Sequence, residues 1–396
     1  MPIKNNNKKQ VVDLIYIEGP GDIVEAFTKW KNQEDVITET SITFSSQIFD
    51  FCKTHRLNAM YISTNQEKKS VRYQDSIAEN IPKNIFSSSL GYPISQIIYG
   101  LRILAVILMH RPKYLHVTSG VTYWFMLAPL KIFGIKIFPQ FHNTLWPKGF
   151  PPTGIKDKIL LKLDSWFLKY IASATICCSP EIRRQIDEIS NTTCLNLQFL
   201  AQFYRQNFQN PPPPPAHDKK PFTIVFAGRL EENKGVFDIL KIAEHMLNEE
   251  VAFHICGGGP VLEALQLENK RRQLEHYVTI HGKLQRPKLL DIYNQGHAII
   301  VPTRSDFCEG LPLVAIEAVL LGRPIITSRL SNALDVLAGA IIEAKPNDIA
   351  SYVTAIQKLM SDKALYEKTS RACQPLREQF LDGTQGLTNI LTKTLS

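Results

Sequence analysis

The sequence has no long apolar run. Its longest unbroken stretch, Ile103 to Met109, falls far short of the roughly 20 residues a bilayer crossing needs. It has no Cys-x-x-Cys pair, and its seven cysteines are scattered between Cys52 and Cys373. Neither a disulfide framework nor a zinc site is indicated, and a reducing, cytoplasmic location is expected. No Asp-x-Asp pair occurs, so the usual carboxylate hook for a divalent metal on a diphosphate is missing. No repeat recurs at a fixed period. The basic, polar start through Gln10 leads into Val11–Ile17, which ends in Glu18-Gly-Pro-Gly. That is not a small-residue cleavage site, so a first strand and no signal peptide are expected.

What is present is ordinary for a globular protein: 44% of residues are hydrophobic and 21% charged. This excludes a disordered, collagenous or coiled-coil chain. At ~100–200 residues per domain, 396 residues make two or three domains, which can fold without a disulfide or metal staple. The net charge of +8 suggests an anionic partner: nucleotide, phosphate, nucleic acid or membrane surface.

Short β-branched runs alternate with longer helical patterns. Strands are expected at 12–17, 59–62, 114–117, 135–141 and 174–178, then at 223–227, 251–256, 278–281, 298–301 and 324–327. Helices are expected at 95–109, 155–170, 236–247, 262–274 and 312–321. That alternation implies α/β architecture with parallel sheets built from β-α-β units. Five prolines, Pro211–Pro215, cannot continue a helix or sit inside a sheet, and form a stiff extended spacer; a proline-rich ligand for another protein is the alternative. The expected division is 1–205, a linker at 206–220, a second domain at 221–375, and a helical segment at 376–396 that could pack on either domain.

The second domain carries the chemistry. Arg229 and Lys234 sit on a strand-to-helix turn, at the sheet edge where ligands of parallel sheets bind. They could converge on one diphosphate, or be solvated surface charges. Gly257, Gly258 and Gly259 allow a tight turn after a strand, without the dinucleotide-binding spacing. The richest stretch is Val301-Pro-Thr-Arg-Ser through Glu309-Gly-Leu-Pro-Leu-Val-Ala-Ile-Glu-Ala. A helix starting near Pro312 would offer free N–H groups to an anion. Glu309 precedes it and Glu317 lies inside it. Carboxylates beside an anion site are costly unless hydroxyl groups donate to them, which asks for a sugar or ribose. The alternative is a helix-capping Glu309 and a solvent-facing Glu317. Yet this helix is apolar nearly all round, and a lone Glu there is expensive unless paired or ligand-bound.

These residues resemble glycosyltransferase family 4, retaining nucleotide-sugar enzymes of the GT-B fold. The family's E-x7-E motif corresponds to Glu309 and Glu317, and no other glutamates in the chain are eight residues apart. Gly228-Arg-Leu with Lys234-Gly, Gly257-Gly-Gly-Pro and Ile280-His-Gly-Lys-Leu match further landmarks in order and spacing. The resemblance implies two Rossmann-like domains facing across a cleft. It implies that Glu309 contacts the donor sugar, Glu317 binds ribose, and Arg229, Lys234 and the helix start at Gly310, Leu311, Leu313 and Val314 hold the diphosphate. Gly257, Gly282, Lys283 and Leu284 would hold the base. In the first domain, Gly21 in Glu18-Gly-Pro-Gly-Asp would face the donor phosphate, and His142 in Phe141-His-Asn would approach the sugar, although a single His at a strand end is more often structural. Ser179 is given no catalytic role.

The expected reaction is transfer of a hexosyl group from a UDP- or GDP-sugar, with no other cofactor and no metal, to a hydroxyl acceptor. Polysaccharide or glycolipid biosynthesis is the expected setting. A basic, aromatic stretch, Tyr123–Tyr170, suits a lipid-linked acceptor and an anionic membrane surface; equally, its aromatics could be core and its lysines a solvated face. The rivals are a UDP-sugar 2-epimerase-type enzyme and a non-catalytic nucleotide-sugar-binding subunit. Nucleic acid is disfavoured, because the basic residues are dispersed and no binding motif occurs.

Overall fold

A computed structural model describes residues 12–34, 39–84, 91–121 and 123–395. In its first half the chain runs β1 (Leu14–Ile17), α1 (Ile23–Asn32), α2 (Phe44–Thr54), β2 (Ala59–Ser63), β3 (Ser70–Tyr73), β4 (Ser76–Asn80), α3 (Gly91–His110), β5 (Tyr114–Val117), β6 (Lys136–Phe141), α4 (Ile155–Tyr170), β7 (Thr175–Cys177), α5 (Pro180–Ser190) and β8 (Asn196–Gln198). Its eight-stranded sheet has the order β3-β4-β2-β1-β5-β6-β7-β8.

The second half runs β9 (Phe222–Ala227), α6 (Val236–His245), β10 (Val251–Cys256), α7 (Leu262–Arg271), β11 (Val278–Gly282), α8 (Arg286–Gln295), β12 (Ala298–Val301), α9 (Leu313–Leu320), β13 (Ile325–Thr327), α10 (Leu334–Leu337), β14 (Ile341–Glu343), α11 (Ile349–Ser361) and α12 (Lys363–Ala372); α13 (Leu387–Leu395) closes the chain. Its six-stranded sheet has the order β11-β10-β9-β12-β13-β14.

Both sheets are buried on both faces, so their central strands read as continuous apolar runs rather than alternating ones. In β9, Phe222, Ile224 and Phe226 pack into one core cluster, while Val225 and Ala227 pack into another. The expectation of purely parallel sheets needs one correction: β3 pairs antiparallel with β4. This hairpin is an edge with a largely exposed outer strand, so it carries little of the apolar signal that marks buried strands. The three-residue strands β8 and β14 escape the sequence pattern for the same reason.

The absence of a membrane-length segment also needs revision. α3 is 20 residues long and apolar enough to cross a membrane by length and composition. Arg102 is the only Asp, Glu, Lys or Arg in it, so the composition stays apolar although the unbroken run is short. Here α3 covers the sheet, burying Tyr99, Ile103 and Ile107 in the first core.

The proline run is fastened to the second half. Arg323, fully buried, donates to the carbonyls of Pro212 at 2.8 Å and Asn294 at 3.1 Å. The Tyr366 hydroxyl donates to the Pro215 carbonyl at 2.8 Å. After α12 the chain returns to the first half: Leu387, Ile390, Leu391 and Leu395 join its core, and the Leu387 N–H donates to Gln47 Oε1 at 3.0 Å.

Candidate active site

The second sheet reverses its winding between β9 and β12. In open parallel sheets, ligands bind outside the carboxyl ends of the strands at such a point. A cavity of about 410 Å³ opens there. It gathers Arg229 and Lys234 from the turn after β9, Glu309 from the loop after β12, and Leu311, Leu313, Val314 and Glu317 from around α9. The first half contributes Thr40, Phe44 and His142.

Glu309 is buried. Its Oε2 accepts from Lys234 Nζ at 2.6 Å and from the Thr303 hydroxyl at 3.1 Å. The Lys234 ammonium also lies 4.1 Å from the centre of the Phe307 ring, a favourable cation–π position. The Asn332 side-chain amide donates to the carbonyls of Glu309 and Gly310 at 2.6 and 3.0 Å, which fixes the loop backbone. Arg229 lines the cavity but is mostly exposed and pairs with Glu231 at 2.8 Å. Of the two expected cations, only Lys234 is bonded to a glutamate of the motif.

Glu317 sits among Ala315, Ile316, Ala318, Val319 and Leu320, all fully buried. It does not face solvent. Tyr293 Oη donates to its Oε2 at 2.5 Å, and the Thr40 hydroxyl of the other half donates to Oε1. Burial pushes the carboxyl upward from its ordinary pKa, and the two hydroxyl donors pull it back. Both carboxylate oxygens thus accept from hydroxyl groups, one from each half of the chain. At the helix start, Leu313 and Val314 are the first helical residues, and N–H groups of a first turn lack intrahelical partners.

His142 stands at the end of β6, half-buried, 4.5 Å between ring centres from Phe44. Gln140 Nε2 lies 3.0 Å from His142 Nε2, and Gln140 Oε1 lies 2.6 Å from His116 Nε2. An amide N–H donates, so His142 accepts at Nε2 and carries its proton on Nδ1. Burial lowers the His142 pKa to about 4, which keeps the ring neutral. Gly21 lies beyond the end of β1, at the winding reversal of the first sheet. With Glu18 it lines a second cavity, of about 400 Å³, which shares His142, Phe44 and Leu313 with the first. Glu18 is pushed up to about 7, chiefly by burial.

Gly257, Gly282, Lys283 and Leu284 are not on the wall of the 410 Å³ cavity. They lie beside it, where β10 and β11 end. The Gly257 N–H donates to the Gly282 carbonyl at 2.8 Å, and Leu284 packs on the core. Gly257 has φ of +147°, and a Cβ there would sit 1.8 Å from the Gly228 carbonyl oxygen. These residues therefore lock the neighbouring turn to the one that carries Arg229.

Sequence reasoning did not single out Thr40, Tyr293, Asn332 or Gln140. Thr303 lies within the Val301-Pro-Thr-Arg-Ser stretch but had no role. Thr40 and Tyr293 reach Glu317 from far away in the chain, so no local pattern marks them; only the cost of burying a lone carboxylate implied that such donors exist. Among the described residues, no three His, Cys, Asp or Glu side chains cluster as a metal site.

Residues 207–374 match the family model described as Glycosyl transferases group 1. Glycogen synthase of Mycobacterium tuberculosis is 22% identical over 235 residues, 56% of this chain and 53% of that one. The chain spans about half the length of this curated relative. Sucrose-phosphate synthase of Thermosynechococcus elongatus superposes with a TM-score of 0.72 at 14% identity, covering 97% of this chain and 99% of that one. Anabaena Alr3699/HepE, solved in complex with UDP, superposes with a TM-score of 0.66 at 14% identity over the same shares. The fold is thus GT-B: two Rossmann-like halves facing across a cleft.

Proposed function

We propose that the protein moves a sugar from a nucleotide-sugar donor to a hydroxyl acceptor, with retention at the anomeric carbon and without a metal ion. One observation carries this reading. Two buried carboxylates, Glu309 and Glu317, flank the start of α9, one held by an ammonium and the other by two hydroxyl donors. The match of residues 207–374 to group 1 glycosyl transferases supports it, as does the UDP bound by a protein of the same fold.

In this reading Glu317 takes the ribose hydroxyls and Glu309 the sugar hydroxyls. The departing diphosphate meets Lys234, Arg229 and the N–H groups at Leu313 and Val314, a preorganised positive field that strengthens as charge develops on the leaving oxygen. The acceptor hydroxyl attacks the face from which the diphosphate leaves, and a phosphate oxygen takes its proton. Neutral His142, donating from Nδ1, stabilises the sugar hydroxyls without adding a charge that would oppose the cationic centre. The turns at Gly257 and at Gly282, Lys283 and Leu284 border the base. Closure of the cleft keeps water from the activated sugar.

The acceptor is a glycan or a lipid-linked hydroxyl compound, and the product feeds polysaccharide or glycolipid assembly. Seven free thiols, six of them buried, suit a reducing cytoplasmic setting. The test is release of nucleoside diphosphate from a panel of UDP- and GDP-sugars, with and without a membrane extract. A transferase gives slow hydrolysis alone and rapid release with the extract, and the product keeps the donor's anomeric configuration. Interconversion of the donor without acceptor would identify an epimerase. Donor binding with no turnover under any condition would identify a binding subunit.

A further inference from the structure

The first half carries an apolar face that none of the described residues covers. On α3, Ile94, Ile97, Ile98 and Leu101 are exposed, each by 45–56%, on the side away from Tyr99, Ile103 and Ile107. The adjoining 3-10 segment, Trp124–Phe133, exposes Ile132 and Phe133. It packs between α3 and α4, so the three segments make one surface. On α4, Ile155, Ile159, Leu163, Trp166 and Tyr170 are exposed. Their spacing of three and four residues places them in a single stripe. Apolar patches of this extent mark interaction sites.

The charge around the stripe selects the partner. At 100° per residue, Lys158, Lys162 and Lys169 project from one flank of the α4 stripe and Lys156 from the other. Asp157 and Asp164 project from the opposite side of the helix. Lys131, at the end of the 3-10 segment, donates to the Tyr170 carbonyl and adds a further cation at the margin. An isologous dimer through this face would bring like charges together. A bilayer with anionic headgroups satisfies both features, taking the apolar residues at the acyl boundary and the lysines at the phosphates.

The orientation also fits. β4, β5, β6 and β7 run parallel, so the helices crossing between them run antiparallel to the strands. The N-termini of α3 and α4 therefore lie at the carboxyl edge of the sheet, beside the cleft. A surface lying on the membrane along α3 and α4 would set the cleft mouth at the headgroup level.

We propose that the outer face of α3, Trp124–Phe133 and α4 docks the protein on anionic lipid, lying in the interface rather than spanning it. The test is flotation of the full chain with vesicles of phosphatidylcholine, alone or mixed with phosphatidylglycerol. Wild type should bind the mixed vesicles at low salt, bind phosphatidylcholine weakly, and be released by high salt and by alkaline carbonate. Reversal of Lys156, Lys158 and Lys162 to Glu should weaken binding about a hundredfold or more, and Ile98→Glu with Leu101→Glu should abolish it. Because the α3 variant loses apolar packing, the all-surface lysine variant provides the independent check. In both, binding of UDP-sugar by the second half should stay unchanged, which separates this inference from the transferase reading. No flotation of wild type at low salt, or equal binding to both vesicles, overturns the proposal. So does resistance to alkaline carbonate, or a dimer in sedimentation velocity that the α3 variant dissolves.

Discussion

The backbone of Gly310 lies against the His142 carbonyl so closely that a Cβ at position 310 would sit 1.8 Å from that oxygen. This contact joins the loop carrying Glu309 to the strand end carrying His142, across the two halves of the molecule. Two more contacts cross the same cleft: Lys148 with Asp335 at 2.7 Å, and Arg286 Nη1 with the Glu39 carbonyl at 3.0 Å.

Gly310→Ala should therefore hold the halves apart. Catalytic groups displaced by about 1 Å lose on the order of a hundredfold in rate. The expected result is a fall of that size in kcat with the fold intact, read by steady-state kinetics beside circular dichroism. UDP affinity should change little, since the nucleotide contacts proposed above belong to the second half.

Glu317→Gln keeps the size of the side chain but removes its charge and turns one oxygen into a donor facing Tyr293 and Thr40. Donor KM should rise about tenfold or more, because hydrogen bonds to a charged group contribute roughly 1.5–3 kcal/mol. Isothermal titration with UDP checks this without an acceptor. Tyr293→Phe should have a smaller effect in the same direction.

Glu18 contributes to the pH dependence of stability. Burial raises its folded pKa to about 7, above the ordinary glutamate value. A raised carboxyl pKa contributes stability below the unfolded pKa, and that contribution is lost as pH rises through the folded value. Between pH 5 and pH 8, wild type should lose about 1–3 kcal/mol relative to Glu18→Gln. Urea unfolding of both proteins at the two pH values reads the difference.

Arg323→Ala should destabilise the second half by about 3 kcal/mol or more, because it removes a buried side chain and leaves the carbonyls of Pro212 and Asn294 without their donor. The proline run should then become susceptible to proteolysis around residues 209–220, where wild type is protected. Limited proteolysis followed by mass mapping distinguishes the two.

Much of this architecture could be read in the sequence because the central strands are buried on both faces and alternate with longer helical patterns. β5 was expected at 114–117 and β12 at 298–301, and both occupy those residues. The β3–β4 hairpin was not legible, since an exposed edge has no apolar pattern. The motif glutamates announced themselves: Glu317 by its cost in an apolar helix, Glu309 by its spacing from it. Their partners did not. Thr40 lies 277 positions from Glu317 in the chain, and Gln140 acts only through its bond to His142. A helix was expected at 95–109 without a buried face assigned to it, and the exposed outer stripe of α3 appears only once the sheet it covers is known.

The most direct test of the account is Glu309→Ala in the donor-turnover assay, measured beside UDP binding. A carboxylate that stabilises the sugar in the transition state should cost about 10²–10³-fold in turnover when removed, while UDP binds within a few-fold of wild type. Full transfer activity in the Glu309→Ala protein would contradict the account.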